Sequence, residues 1–279
     1  MKERDFYRIS DFWKILDNVI YQSDILLEIA DARMPDLTRN KKVEDKIQRK
    51  RKTFILVLNK SDLITKKMID DFLKNSKSKK EIFVSYKKRT DIIALKKMIF
   101  NLSRDKIYWD KIRVGVVGYP NKIRVGVVGY PNTGKSSIIN ALTGRSVAKT
   151  SPIAGLTRGI QWIKGGGNLL FLDSPGVIPL DEKDEAEQAL MSAIDPDKLQ
   201  DPGMAAMMII QLFLDNNRKN LEKFYGVKVE TDDTLEILLE IGKKRNFLCK
   251  GGKIDERRTA LTIIKDWQRG NLLLNFMAS

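Results

Sequence analysis

The segment Gly129-Tyr-Pro-Asn-Thr-Gly134-Lys135-Ser136 narrows the folds open to this chain more than any other. It matches G-x-x-x-x-G-K-[ST], follows the apolar run Ile123–Val128, and opens a helix-forming stretch that ends at Gly144. A strand, a glycine-rich turn and a helix N-terminus in that order make a phosphate-binding loop. The glycines let the backbone curl until its N–H groups face phosphate oxygens, and the helix N-terminus adds positive potential. In such a loop Asn132, Thr133, Gly134, Lys135, Ser136 and Ser137 surround the phosphates. Lys135 is expected to neutralise the β- and γ-phosphates, and the Ser136 hydroxyl to ligate Mg2+.

The rest of the first half fits an α/β frame around that loop. Apolar strands are expected at 24–30, 53–58 and 81–84, and helices at 10–21, 41–51, 65–74 and 90–102. Strands alternating with helices predict a mostly parallel sheet with helices on both faces. Runs at 159–164 and 168–172 flank Gly165-Gly166-Gly167 and read as a hairpin. After residue 178 the strand signal stops, and helices are expected at 184–194, 203–217, 232–242 and 255–268. The expected division is a nucleotide-binding domain over 1–178 and a helical C-terminal domain over 179–279. Trp162, Trp267, Phe213 and Phe224 are expected in the core, with Met204, Met207 and Met208 packing between helices.

Composition removes several kinds of chemistry. With no histidine and one cysteine, Cys249, the chain has no His general base, no Ser-His-Asp triad, no zinc site and no internal disulfide. That cysteine usage fits a reducing compartment, and cytoplasmic residence is expected. No apolar run reaches the roughly 18 residues that span a bilayer. Met1–Asp5 is charged and has no apolar core, so no signal peptide is expected, and no membrane partner is expected either. Lys+Arg number 51 against 36 Asp+Glu, a net charge of +15, which points to an anionic partner, nucleic acid first and a membrane surface second. Two clusters carry the excess: residues 39–52, and a tail group of Lys243, Lys244, Arg245, Lys250, Lys253, Arg257 and Arg258 around Gly251-Gly252. The tail group is the expected RNA contact, offering cations and helix N–H groups to phosphates.

Further motifs sit at strand ends. Asn59-Lys60-Ser61-Asp62 ends one strand; an Asp carboxylate there accepts from guanine N1–H and N2–H2, a donor pair that adenine lacks. Asn59 is expected at the other base edge, with the Lys60 stem on the ring. Ser85-Tyr86-Lys87 ends the next strand and offers a backbone N–H to guanine O6. Asp173-Ser-Pro-Gly176 ends a third, placing Asp173 towards Mg2+ and the Gly176 N–H towards the γ-phosphate. Thr157, in the loop between, offers a second hydroxyl to Mg2+.

This order, N-K-x-D, S-x-K, phosphate loop, Thr157, D-x-x-G, resembles that of the circularly permuted GTPases. Ordinary small GTPases begin with the phosphate loop instead. The likeness is closest to the YlqF/RbgA-like branch, which acts in large ribosomal subunit assembly. It extends to Asp31-Ala32-Arg33-Met34-Pro35 and, in the tail, to Gly242-Lys-Lys-Arg-Asn246, Lys250-Gly-Gly-Lys-Ile-Asp255 and Asp266-Trp-Gln-Arg-Gly270. The resemblance implies a permuted P-loop GTPase fold, GTP and GDP as ligands, and rRNA or the large subunit as partner. It implies Mg2+, and K+ held through Asn132 between the phosphates. Tyr86 departs from the usual Ala of S-A-K. Val177 stands where Ras-like enzymes position water with Gln, and it has no group to do so. Slow, partner-stimulated hydrolysis is the implied behaviour; the alternative is a nucleotide-binding scaffold with little turnover.

One further feature is an exact repeat. Lys111–Asn121 and Lys122–Asn132 both read KIRVGVVGYPN, a tandem duplication of the strand and the start of the loop. Only the second copy continues into Thr133-Gly134-Lys135-Ser136. The second copy is expected in the sheet, with the first as a linker or added edge strand. Identical side chains also permit a switch between the two registers, with guanine nucleotide binding only the second.

Overall fold

The apolar runs of the first half form one six-stranded sheet in a computed structural model that describes residues 9–76, 78, 80–112, 122–146, 161–173 and 184–275. The strands are β1 (Ile25–Asp31), β2 (Thr53–Asn59), β3 (Glu81–Val84), β4 (Ile123–Val128), β5 (Gln161–Lys164) and β6 (Leu169–Asp173). Their order is β3-β2-β1-β4-β6-β5. All neighbours are parallel except the β5–β6 hairpin. Between them run α1 (Ile9–Gln22), α2 (Pro35–Thr38), α3 (Lys41–Arg49), α4 (Lys66–Asn75), α5 (Arg89–Ile112) and α6 (Lys135–Thr143).

Side chains alternate across a strand, so each face of the sheet takes every second residue. Ile25, Leu27, Ile29, Ile55, Val57, Val125 and Val127 are buried with Ile92, Leu95 and Ile99 of α5 and Ile138, Ile139 and Leu142 of α6. The opposite face meets α1 closely: a Cβ at Gly126 would lie 2.3 Å from Ser23 Oγ and 3.0 Å from Val19 Cγ1. Cover on both faces explains why β1 is buried along its whole length.

That burial includes a carboxylic acid. Glu28 is fully buried, and its Oε1 accepts from the Asn40 N–H at 2.8 Å. Burial, then the neighbouring Glu44 carboxylate, hold its carboxyl well above the usual range. Its Oε2 is buried without a hydrogen-bond partner among the described residues. Between the unfolded carboxyl value of about 4.3 and the raised native one, only the folded chain holds the carboxyl proton, so stability falls as pH rises. A Glu28→Gln variant should melt roughly 2–4 °C above the parent at pH 8 and much closer to it at pH 5. Thermal melts at both pH values check this; an unchanged pH slope contradicts it.

The helical elements that follow are α7 (Glu185–Leu190), α8 (Pro202–Asn216), α9 (Arg218–Tyr225), α10 (Thr234–Lys244) and α11 (Glu256–Arg269). Asp184, Asp201, Asp233 and Asp255 cap α7, α8, α10 and α11 by accepting N–H groups of the first turn. Trp267 is fully buried, donates its indole N–H to Leu190 O at 3.0 Å and meets Phe213 edge-on at 6.2 Å. Two core expectations are corrected. Trp162 lies on the edge strand β5 and is 37% exposed, and Met204 on α8 is 53% exposed. α9 is a helix that the polar run from Asn217 to Asn220 hides.

The chain divides into two compact units, Met1–Ser61 with Ser78–Leu180, and Asp62–Lys77 with Asp181–Ser279. The segment 62–77 thus groups with the helices. No helix among the described residues is long and apolar enough to cross a membrane.

The second copy of the duplication forms β4, between β1 and β6. In the first copy, Lys111 and Ile112 instead close α5, which runs ten residues past its expected end. The same Lys-Ile pair therefore ends a helix in one copy and leads into a strand in the other. Residues 113–121 lie outside the described part.

Candidate nucleotide-binding site

Parallel strands gather loops at their carboxyl ends, where ligands of open α/β sheets bind. Here the ends of β2, β1, β4 and β6 present Asn59, Asp31, the phosphate loop and Asp173. The loop is shaped by three positive-φ residues: Gly129 (φ 145°), Asn132 (φ 58°) and Gly134 (φ 98°). Any side chain at Gly129 would strike β1, since its Cβ would sit 2.4 Å from Ile29 O. One at Gly134 would sit 2.2 Å from Asn59 Nδ2.

Lys135 is 8% exposed and folds back over the loop, donating from Nζ to Gly129 O at 2.9 Å and Tyr130 O at 2.6 Å. The Thr133 hydroxyl also donates to Tyr130 O, at 3.0 Å. Ser136 and Ser137 are half-buried in the first turn of α6, whose N-cap, Gly134, contributes no side-chain acceptor. The N–H groups of this turn are thus not capped by a side chain at Gly134, in contrast to the Asp-capped helices of the other unit.

The base motif is tied to this loop. Asn59 is fully buried and donates from Nδ2 to Thr133 O at 2.9 Å. Its Oδ1 is buried with no donor among the described residues. Lys60 has a left-handed backbone (φ 64°), and its Nζ lies 2.7 Å from Asp31 Oδ2. Burial alone would push the Asp31 carboxyl up, but Arg33 and Lys60 outweigh it and hold the group well below the usual carboxylate range. Asp62 follows in the 3-10 turn Ser61–Leu63.

At the end of β3, Ser85 is buried and its N–H donates to Asp91 Oδ2 at 2.9 Å, so that donor is already engaged. Tyr86 is 40% exposed, with the Lys87 ammonium 6.0 Å from its ring centre. Asp173 ends β6 in register with Val127. Thr157 and Gly176 lie outside the described residues. In the sequence, the signal of Asp31 and Arg33 is a charged pair at the end of a largely apolar strand.

The tail cations are all exposed. Lys243, Lys244 and Arg245 close α10; Lys250 and Lys253 flank a tight turn in which the Cys249 N–H donates to Lys253 O at 2.8 Å. The α11 N-terminus is less open than the sequence implied, because Asp255 accepts the Arg258 N–H at 2.9 Å. Arg258 stacks on Phe247 at 4.4 Å, and Arg257 donates to Leu199 O and Gln200 O, each at 2.9 Å. A cleft of about 380 Å³ runs along Asp255, Arg257, Arg258, Leu261, Thr262 and Lys265.

A parallel sheet, a loop built on a buried lysine and a base strand bound to that loop define the P-loop class of nucleotide-binding folds. Known proteins to which the chain is similar narrow that class further. Residues 124–245 match the family model described as 50S ribosome-binding GTPase. The chain is 39% identical over 259 residues to an uncharacterized GTP-binding protein of Methanocaldococcus jannaschii, covering 93% of this chain and 65% of that protein. It is 33% identical to the nuclear GTP-binding protein NUG1 of Saccharomyces cerevisiae, covering 93% and 55%. The chain thus spans between half and two-thirds of these relatives' lengths. Its fold matches GNP-bound YlqF from T. maritima with a TM-score of 0.59 at 23% identity, over 94% of this chain and 95% of that one. The GDP-bound form gives 0.60 at 24% identity, over 92% and 95%.

Proposed function

We propose that this protein binds GTP, hydrolyses it to GDP and phosphate, and does so in assembly of the large ribosomal subunit. The observation that carries the reading is the bond from Asn59 of the base motif to Thr133 of the phosphate loop, which builds the two halves as one site. The buried Asn59 Oδ1 and the α6 N-terminus, with no side-chain cap from Gly134, fit an anionic, hydrogen-bonding ligand. In this reading Lys135 turns from the loop carbonyls to the β- and γ-phosphates, with Thr133, Gly134, Ser137 and Gly176 supplying N–H groups. Ser136, Thr157 and Asp173 would hold Mg2+, and Asn132 would take K+; bound there, the cations would offset charge developing on phosphate. Val177 orients no water, so turnover in isolation is slow. Lys243, Lys244, Arg245, Lys250, Lys253, Arg257 and Arg258 contact rRNA phosphates, and the protein works in the cytoplasm.

Asp62 selects the base. An Asp62→Asn variant should lose GDP affinity by two or more orders of magnitude and bind xanthosine diphosphate better than the parent does, since the amide can donate to the new 2-oxo group. Competition between the two nucleotides checks this; unchanged preference contradicts it.

The function itself is tested by GTP turnover with and without large ribosomal subunits, in KCl and in NaCl. Stimulation by the subunit, larger in KCl, is expected. Turnover that stays negligible in every condition would favour the scaffold reading.

A further inference from the structure

Asp31-Ala32-Arg33 has no part in the site as proposed, yet Asp31 and Arg33 are each only 2% exposed. Asp31 lies beside Asn59 in the β1–β2 register, and the Ala32 N–H donates to Asn59 O at 2.8 Å. Arg33 grips the carboxylate three times: through its backbone N–H to Oδ1 at 3.0 Å, Nε to Oδ1 at 3.0 Å and Nη2 to Oδ2 at 2.8 Å. The same Oδ2 accepts from Lys60 Nζ at 2.7 Å. The planar guanidinium fork thereby fixes the carboxylate, and the carboxylate fixes the ammonium.

We propose that Asp31 and Arg33 are positioning residues for the nucleobase, holding the Lys60 ammonium so that the lysine stem forms a fixed wall of the base pocket. The inference rests on the guanine-nucleotide reading above. A lysine side chain has more rotamers to lose than almost any other. Anchoring its tip on a buried carboxylate removes that freedom before a base arrives, so less ordering remains to oppose binding. The left-handed backbone of Lys60 fixes the other end of the stem. Neither residue is expected to touch the nucleotide.

The test separates base from phosphate. GDP and pyrophosphate, which has no base, are titrated by calorimetry against the parent, Lys60→Met, the double variant Asp31→Asn/Arg33→Met, and all three changes together. The double change removes the buried pair as a unit, because Asp31→Asn alone would strand a buried guanidinium. GDP affinity is expected to fall about tenfold in the double variant, the worth of one charged hydrogen bond, with pyrophosphate affinity unchanged. Adding the double change to Lys60→Met should cost nothing more. Should the double variant not fold, Arg33→Lys keeps the charge, loses the fork, and should speed GDP release about threefold or more with pyrophosphate unaffected. Parallel loss of GDP and pyrophosphate would mean a purely structural role. Unchanged GDP affinity, or losses that multiply with Lys60→Met, would overturn the assignment while leaving the nucleotide reading intact. A parent that binds no GDP would overturn both.

Discussion

A Lys135→Ala variant is expected to lose affinity for GTP by about 10²–10³-fold, and its turnover at least as steeply. Lys135 is the buried cation of the phosphate loop, held over it by the carbonyls of Gly129 and Tyr130. The same two bonds that park the ammonium keep it close to where phosphate oxygens would lie, so little reorganisation separates the empty from the filled loop. Removing it takes a charge-assisted donor from Gly129 O and from Tyr130 O, the latter keeping the Thr133 hydroxyl. A Lys88→Ala variant, at an exposed position outside the loop, is the matched control. Equilibrium binding and single-turnover hydrolysis check the effect; parent-like values in Lys135→Ala would remove the phosphate site from consideration.

A proline at Val127 should have an effect as large by a different route. Val127 is fully buried in β4, which is hydrogen-bonded on both sides, to β1 and to β6. Proline has no N–H for such a ladder and is excluded from central strands. In most chains the sheet would be lost. Here residues 112–117 repeat 123–128 letter for letter, so an intact strand of the same side chains remains available. The Val127→Pro chain should therefore keep its far-ultraviolet circular dichroism yet bind no nucleotide. With the first copy in the sheet, Asn121 runs into Lys122-Ile123, and Thr133-Gly134-Lys135 are eleven residues too far along. Val116→Pro should bind at least as tightly as the parent, because only the first copy is damaged. A ligand at a hundred times its Kd contributes about 2.7 kcal/mol towards the register it binds, enough to draw a near-balanced pair to one side. Global unfolding of Val127→Pro, with Val116→Pro indistinguishable from the parent, would show that the copies do not exchange.

Much of the fold was legible because its signals are local. Four Asp caps mark helix starts, and the buried strands β1, β2 and β4 are largely apolar runs between polar turns. The phosphate loop was legible for the same reason, as its glycines and lysine are adjacent in sequence. What escaped was set by distant partners. The tie from Asn59 to the phosphate loop appears only when the loop after β4 arrives and its Thr133 carbonyl accepts from the amide. Asp255 reads as one more charge in a basic tail until its carboxylate closes the helix N-terminus that phosphate was expected to use. Asp31 shows its role only when β1 and β2 pair and bring Lys60 to within 2.7 Å. Trp162 is an aromatic residue whose exposure follows from the sheet order, which places β5 at an edge.

The identity of the base is the point on which the whole reading turns. Calorimetric titration of the parent protein with GDP and with ADP, each with Mg2+ present, measures it without dependence on any partner or on the rate of hydrolysis. Binding of GDP at least about 100-fold tighter than ADP is expected from a site whose carboxylate accepts two guanine N–H groups. Equal affinities, or a preference for ADP, would contradict it.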